Sequence, residues 1–334
     1  MKPKYSFMCR LVPLVVMLIL IFSNIIIAQE IKIVWGHTQP PTHPSSIAIE
    51  EVKNEIADKT NGRINIEHYP AAQLGTNQEL IEGLIMGTND MGFEGGGILG
   101  NFFDKMYIFD APYLIKDLDH AGRLVNSEPV QSLFNEFLEK TGIRILDVWH
   151  YGVRHVTTKG KDINTIDDLK GLKMRVLTVP LMIDNASQLF DVIPTPMPFA
   201  ELYVALQTGA VEAQENPLAL IDSAKLYEVQ DTVMLTGHVT NLQFVMIREE
   251  FWNKLSDEDK EILADTVKAA GNKQDEAIYK TEEKLVEGFI ELGLNVVEVD
   301  EKDMAVLQER AAKVYEKYSH IWGSELTEQI RAVE

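Results

Sequence analysis

From residue 31 onward the chain alternates strand-like and helix-like segments, and this alternation restricts the fold more than any other feature. Ile31 to Trp35 alternates apolar and polar side chains, as a half-buried strand does, and a Pro-rich loop follows through Pro40, Pro41 and Pro44. Ile49, Val52 and Ile56 then share one helical face, which stops at Asn61-Gly62. Ile64 to His68 reads as the next strand. Thr76, with Glu79 three residues on, opens a second helix as a capping box, and Gly87 ends it. The rhythm continues with helices near Leu118 to Val125 and Val130 to Glu139, strands at Arg144 to Trp149 and Lys173 to Leu177, and a helix near Ala200 to Gln207. Such alternation predicts an α/β fold with mostly parallel sheets.

Ser256 and Asp259 open a longer helical pattern through Leu263, Val267, Ala270, Ile278, Leu285 and Phe289 to the neighbourhood of Leu292. A single helix of that length spans ~50 Å at 1.5 Å per residue, more than the width of a small lobe. It is expected to cross two lobes; the alternative is a pair of helices broken near Gly271-Asn272. Two lobes are also what length predicts, because about 300 residues exceed what one core holds. The chain has no internal repeat, low-complexity tract or Gly/Ser linker, so strands passing between the lobes are expected to join them.

The first ten residues carry Lys2, Lys4 and Arg10 and no acid, and an apolar run extends from Leu11 to Ile27 before Ala28. This pattern predicts a cleaved signal peptide, with an uncleaved membrane anchor as the alternative. Cys9, the only cysteine of the chain, lies before the apolar run and leaves with the signal, so the mature chain has no thiol for a disulfide, a nucleophile or a metal. Loss of the three basic residues takes the net charge from −20 to −23, which makes nucleic acid an unsuitable partner. An anion site is still feasible if it brings its own cations, because the acidic field is screened within ~8 Å at physiological salt.

Few motifs carry catalytic chemistry. Gly95, Gly97 and Gly100 fit G-x-G-x-x-G, and Asp119 follows at a ribose-binding distance, but Glu94 would place a carboxylate against a pyrophosphate and Asn101-Phe102-Phe103 lacks a helix start. The glycines are better explained by a tight loop whose bare backbone admits a ligand or the facing lobe. The eight histidines form no close pair on a helix face, and no serine sits in G-x-S-x-G, so neither a metal site nor a serine hydrolase is indicated. His43 is a candidate only because its loop follows the first strand, where ligands gather in open parallel sheets.

Two arginines lie inside strand-like apolar runs: Arg154 in Tyr151 to Val156, and Arg175 in Leu172 to Leu177. Buried arginine needs a partner. Each either pairs with an internal acid or waits for a ligand carboxylate, which a guanidinium grips in a bidentate fork.

At these residues the sequence resembles the substrate-binding proteins of TRAP transporters, the tripartite ATP-independent periplasmic transporters. The resemblance rests on Thr60-Asn61-Gly62-Arg63-Ile64, Gln73-Leu74-Gly75, Gly87 to Met91, Ala111-Pro112-Tyr113-Leu114, Asp168 to Val176, Pro194-Thr195-Pro196-Met197, Glu201 to Gly209 and Gln214 to Pro217. It implies a two-lobe, periplasmic-binding-protein-like clamp with a long helix bridging both lobes, without enzyme activity, cofactor or metal. The division it implies is a signal peptide at 1–28, lobe I from 29–151 plus 240–279, and lobe II from 152–239 plus 280–334. By the same resemblance Arg175 grips the ligand carboxylate, Arg154 supports it, Asn216 supplies an amide and Phe199 a wall. Glu94 stands where sialic-acid binders carry an acid, one position out of register. The implied ligand is a small organic acid: a uronate, an aldonate, sialic acid or a C4-dicarboxylate. The implied partners are that ligand and the membrane subunits of the transporter, with the protein itself a periplasmic monomer. Two other readings are an exported enzyme using Glu94 and Glu215 as a carboxylate pair, and a sensor subunit that docks on a receptor.

Overall fold

The computed structural model describes residues 30–160 and 162–333; the predicted signal peptide lies outside the described residues. Nine strands form one hydrogen-bonded sheet: β1 (Ile31–Gly36), β2 (Ile64–Tyr69), β3 (Met91–Gly95), β4 (Ile143–Thr158), β5 (Lys173–Val176), β6 (Ile193–Pro196), β7 (Ala213–Pro217), β8 (Thr232–Arg248) and β9 (Asn295–Glu298). Their order is β2-β1-β3-β8-β4-β7-β5-β6, with β9 on the other flank of β8. The flanks are parallel, as the strand–helix rhythm predicts. The centre differs: β8 runs antiparallel to β3 and β4, and β4 runs antiparallel to β7.

The reason is the length of β4 and β8, 16 and 17 residues. Arg144 to Trp149 and the arginine-bearing run after it are one strand, not two. Its pairing with β8 slips between His150 and Gly152 and between Arg154 and Val156, so each half serves a different flank of the sheet. Gly152 sits at the slip with φ +110, and a Cβ there would lie 2.9 Å from the Pro217 ring. Only glycine fits that backbone and that approach.

The helix Asp257–Glu291 is continuous over 35 residues and opens with Ser256 accepting from the Asp259 N–H. Leu263, Val267 and Ala270 pack into one core with Ile33, Ile49 and Val52, whereas Phe289 packs into another with Leu202, Leu206 and Val233. The helix thus ties both lobes together. Midway, it serves the β4 slip: the Asp275 carboxylate accepts from the His150 N–H (2.7 Å) and that of Glu282 from the Val153 N–H (3.1 Å), groups that irregular pairing would otherwise orphan.

Gly271 does not break this helix. A Cβ there would lie 2.3 Å from Nε1 of Trp149, whose ring is fully buried, so the glycine is needed for close contact between helix and strand. Gly271→Ala is therefore expected to destabilise the protein by roughly 1–3 kcal/mol through overpacking, although alanine is the better helix former. Denaturant unfolding checks the sign; an increase in stability would show that Trp149 yields freely.

Candidate functional site

The strand order brings loops and strand ends of both flanks around one narrow cavity, with about 30 Å³ of room for a water-sized sphere. From the β1–β3 side it is lined by Thr38, Gln39, Asn77, Glu94 and Gly95, and from the β4–β8 centre by Tyr151, Arg154, Asn216, Asn241 and Gln243. Asp110 and the apolar residues Ile98, Leu177, Met182, Phe199 and Leu220 complete the wall. That volume holds about one or two waters, so a monosaccharide-sized ligand requires the walls to move apart. A more open cleft shares Asn77, Ile98 and Leu177 with it and leads to the surface past Thr178 and Pro198.

Arg154 and Arg175 are both buried, but in opposite electrostatic states. Arg154 has found an internal partner: Nε lies 2.5 Å and Nη2 2.8 Å from the two Glu215 oxygens, and Nη2 also reaches Asn216 Oδ1. Its Nη1 donates only to Asn241 Oδ1, at 3.1 Å, and so retains a second N–H. Burial alone would raise the Glu215 pKa, but the ion pair with Arg154 and a 3.2 Å contact with His238 Nε2 outweigh it and hold the group at about 2.

Arg175 has no acidic partner among the described residues. Nε and Nη2 share the carbonyl of Met197, at 3.1 and 3.0 Å, and Nη1 is buried without any hydrogen-bond partner. Arg175 does not itself line the cavity; its guanidinium carbon lies 5.8 Å from the centre of the Phe199 ring, which does. Burial lowers the pKa to about 10, so the group stays cationic at neutral pH. An unpaired buried cation is costly unless something arrives to complete it.

The other expected site residues fall differently. Asn216 and Phe199 line the cavity, although the Asn216 amide is already engaged by Arg154 and Gln214. Glu94 also lines it, with both oxygens held by the Asn77 amide at 2.9 and 3.0 Å, and burial pushes its carboxyl up to about 8. His43 is not among the lining residues. It caps the helix Pro44–Lys59 through Nδ1 and stacks on Tyr151, which does line the cavity.

The glycine-rich segment forms a short helix, Gly96–Gly100, where the sequence shows no helix start. The Gly97 N–H donates to the Asp110 carboxylate at 2.7 Å, and Cβ atoms at Gly96 and Gly100 would strike Phe109 and Tyr107. These glycines serve close packing, and an internal carboxylate holds the position a pyrophosphate would need. Asp110, Asn77 and Gln39 are not among the site residues to which the sequence points. Asn241 and Gln243 carried a legible signal, two polar residues alternating with Leu242 and Phe244.

Two lobes joined by crossing strands, a bridging helix and a polar cavity lined from both flanks of the sheet define a solute-binding protein of the kind that serves a membrane transporter. The chain belongs to the bacterial extracellular solute-binding protein family 7, the substrate-binding proteins of TRAP transporters, whose family model matches residues 35–320. Among its relatives, the sialic acid-binding periplasmic protein of Vibrio cholerae is 35% identical over 278 residues, 83% of this chain and 85% of that one. The 2,3-diketo-L-gulonate-binding periplasmic protein of Escherichia coli is 32% identical over 270 residues, 81% of each chain. A TRAP periplasmic solute-binding protein of Roseobacter denitrificans, solved with bound L-galactonate, superposes with a TM-score of 0.83 at 30% identity, covering 91% of this chain and 99% of that one.

Proposed function

We propose that this protein captures a sugar acid outside the cytoplasm and delivers it to the membrane subunits of a TRAP transporter. The observation that carries the reading is Arg175: a cationic, fully buried guanidinium behind the Phe199 wall of the cavity, whose Nη1 has no hydrogen-bond partner and which makes no ion pair among the described residues. A ligand carboxylate supplies the missing charge. Arg154, fixed by Glu215, Asn216 and Asn241, offers its spare Nη1 hydrogen, and Phe199 closes the wall.

The reading extends to a division of the chain into a signal peptide at 1–28, lobe I from 29–151 plus 240–279 and lobe II from 152–239 plus 280–334. The lobes hinge about the β4 and β8 crossings near Gly152 and Gly237, both at positive φ. Closure excludes water and strengthens each charged contact. The protein acts as a monomer and leaves its ligand chemically unchanged. The supporting observation is that Glu215, one half of the conceivable carboxylate pair, is locked to Arg154.

A thermal-shift screen of aldonates, uronates, sialic acid and dicarboxylates tests this. A true ligand at a hundred times its dissociation constant adds about 2.7 kcal/mol of stability. That raises Tm by roughly 4 °C for a protein of about 300 residues. A flat response to every acid would remove the reading.

A further inference from the structure

A row of polar side chains runs from the protein surface to the cavity wall. It begins at Glu50, on the helix Pro44–Lys59, whose half-exposed carboxylate pairs with Lys53 at 3.1 Å. Oε1 of Glu50 lies 2.6 Å from Nδ1 of His68, on β2. Nε2 of His68 in turn meets Nε2 of His37 head-on at 2.6 Å, with the ring centres 4.8 Å apart. His37 follows β1, is fully buried and packs its ring against Phe93. Gln39 and Tyr151, joined through their side chains at 3.0 Å, complete the row, and both line the cavity.

Counting hydrogens gives the row a direction. A carboxylate only accepts, so Nδ1 of His68 carries the hydrogen that Glu50 receives. Burial keeps both imidazoles neutral at neutral pH, and a neutral ring has a single N–H, so Nε2 of His68 is a bare acceptor. The contact between the rings therefore needs its hydrogen on Nε2 of His37, which leaves Nδ1 of His37 an acceptor as well. That nitrogen is buried without a partner. So is Oε1 of Gln39, whose side chain is within hydrogen-bonding reach of the His37 ring. Exchanging the oxygen and nitrogen of the Gln39 amide, which have the same shape, removes both orphans at once. The nitrogen then donates to His37, and the oxygen accepts from the Tyr151 hydroxyl. Every hydrogen in the row now points away from the cavity, toward Glu50.

We infer that Glu50 is a positioning residue for the binding site: through His68, His37 and Gln39 it fixes the Tyr151 hydroxyl as a hydrogen-bond acceptor toward the ligand. With its hydrogen committed to Gln39, Tyr151 accepts from a ligand hydroxyl and has nothing to donate to an ether, keto or fluoro group. The ligand half of this inference rests on the sugar-acid reading and adds to it a choice between donor and acceptor groups at one point of the ligand. The direction of the row is a property of the empty protein and stands apart from that reading.

Proton–nitrogen correlation spectra of the histidine rings in the empty mature protein at neutral pH test the direction. His68 should be the Nδ1–H tautomer and His37 the Nε2–H tautomer. In Glu50→Lys the ammonium can only donate, so the hydrogens of both rings should move to their other nitrogens. Glu51→Lys makes the same charge change one residue along, on a side chain that is also half exposed, and should keep the wild-type tautomers. A wild-type His68 protonated on Nε2, or unchanged rings in Glu50→Lys, overturns the inference.

The ligand half is read with the acid found by thermal shift and analogues in which each hydroxyl in turn is replaced by fluorine, which cannot donate. One such analogue should lose at least about tenfold in affinity for the wild type, because two acceptors then face each other. Glu50→Lys should cut that loss about threefold or more, since the Tyr151 hydrogen turns to the cavity. Equal losses in the two proteins overturn the link between Glu50 and the cavity. If no acid binds, the sugar-acid reading falls, and the tautomers still decide the direction of the row.

Discussion

Arg175→Met is expected to abolish sugar-acid binding while leaving the empty protein no less stable than the wild type. Two opposing effects set the second half of that result. In the empty protein the guanidinium is desolvated without a counterion, and its fall from 12.5 to about 10 corresponds to roughly 3 kcal/mol against the charge. Methionine removes that cost and fills a similar volume. The loss is the pair of hydrogen bonds to the Met197 carbonyl, worth ~1–3 kcal/mol if the oxygen stays unsatisfied. The first effect equals or exceeds the second. With ligand the balance reverses, because its carboxylate would be buried without a cation, at a cost of about 3–5 kcal/mol, or at least a hundredfold in affinity. Arg175→Lys should also bind poorly, since an ammonium cannot make the two-pronged contact. Unfolding with and without the acid found by thermal shift reads both halves. Affinity within a few-fold of wild type in Arg175→Met would mean that the carboxylate sits elsewhere.

What the sequence discloses, and what it hides, follows from which interactions are local. The helix Asn77–Met86 is legible to the residue because its signals lie inside it: Thr76 and Glu79 form the reciprocal cap, and Gly87 takes the left-handed conformation that ends it. The long helix is legible from its periodic apolar face. The role of Gly271 is not, because what demands a glycine there is Trp149, more than a hundred residues away. β8 escaped for a similar reason. It is buried on both faces for most of its length, so period-two alternation is weak, and Gly237 and His238 interrupt the run. The two arginines stand out in the sequence because charge inside an apolar strand is rare. Their different fates are fixed by register: β4 and β7 pair Val156 with Glu215 and Arg154 with Pro217, which brings the Glu215 carboxylate into contact with Arg154. Nothing local tells a paired arginine from a waiting one. The same holds for His43, whose position after the first strand suggested a ligand contact but whose side chain caps a helix.

Glu215→Gln is expected to cost about 3–5 kcal/mol of stability at pH 7, because it leaves Arg154 charged, buried and without its counterion. The double variant Arg154→Met with Glu215→Leu should recover most of that loss, since the penalty lies in the broken pair and not in the absence of the pair. The pH dependence separates this pair from the other buried acids. Glu215 is held at about 2, below its ordinary 4.5, so its contribution is complete above pH 4.5 and disappears as pH falls through the native value. Burial instead raises Glu94 to about 8 and Asp110 to about 6, so their contributions are fully present only below the ordinary carboxylate range and are lost as pH rises through 6 and 8. The empty protein should therefore gain stability from pH 8 to about 7 and lose it as pH falls further, first because His37, His43, His150 and His155 are buried neutral, at about 3, 3, 4 and 3, and below 4.5 because of Glu215 as well. In Glu215→Gln the Glu215 share of the loss below pH 4.5 should vanish, while the gain between pH 8 and 7 and the histidine loss below it persist. Denaturant midpoints for the two proteins between pH 3 and 9 measure both limbs. An unchanged acid limb in the variant, or a Tm at pH 7 within about 2 °C of wild type, would show that Arg154 finds its charge compensation elsewhere, with Asp110 the nearest remaining acid to suspect.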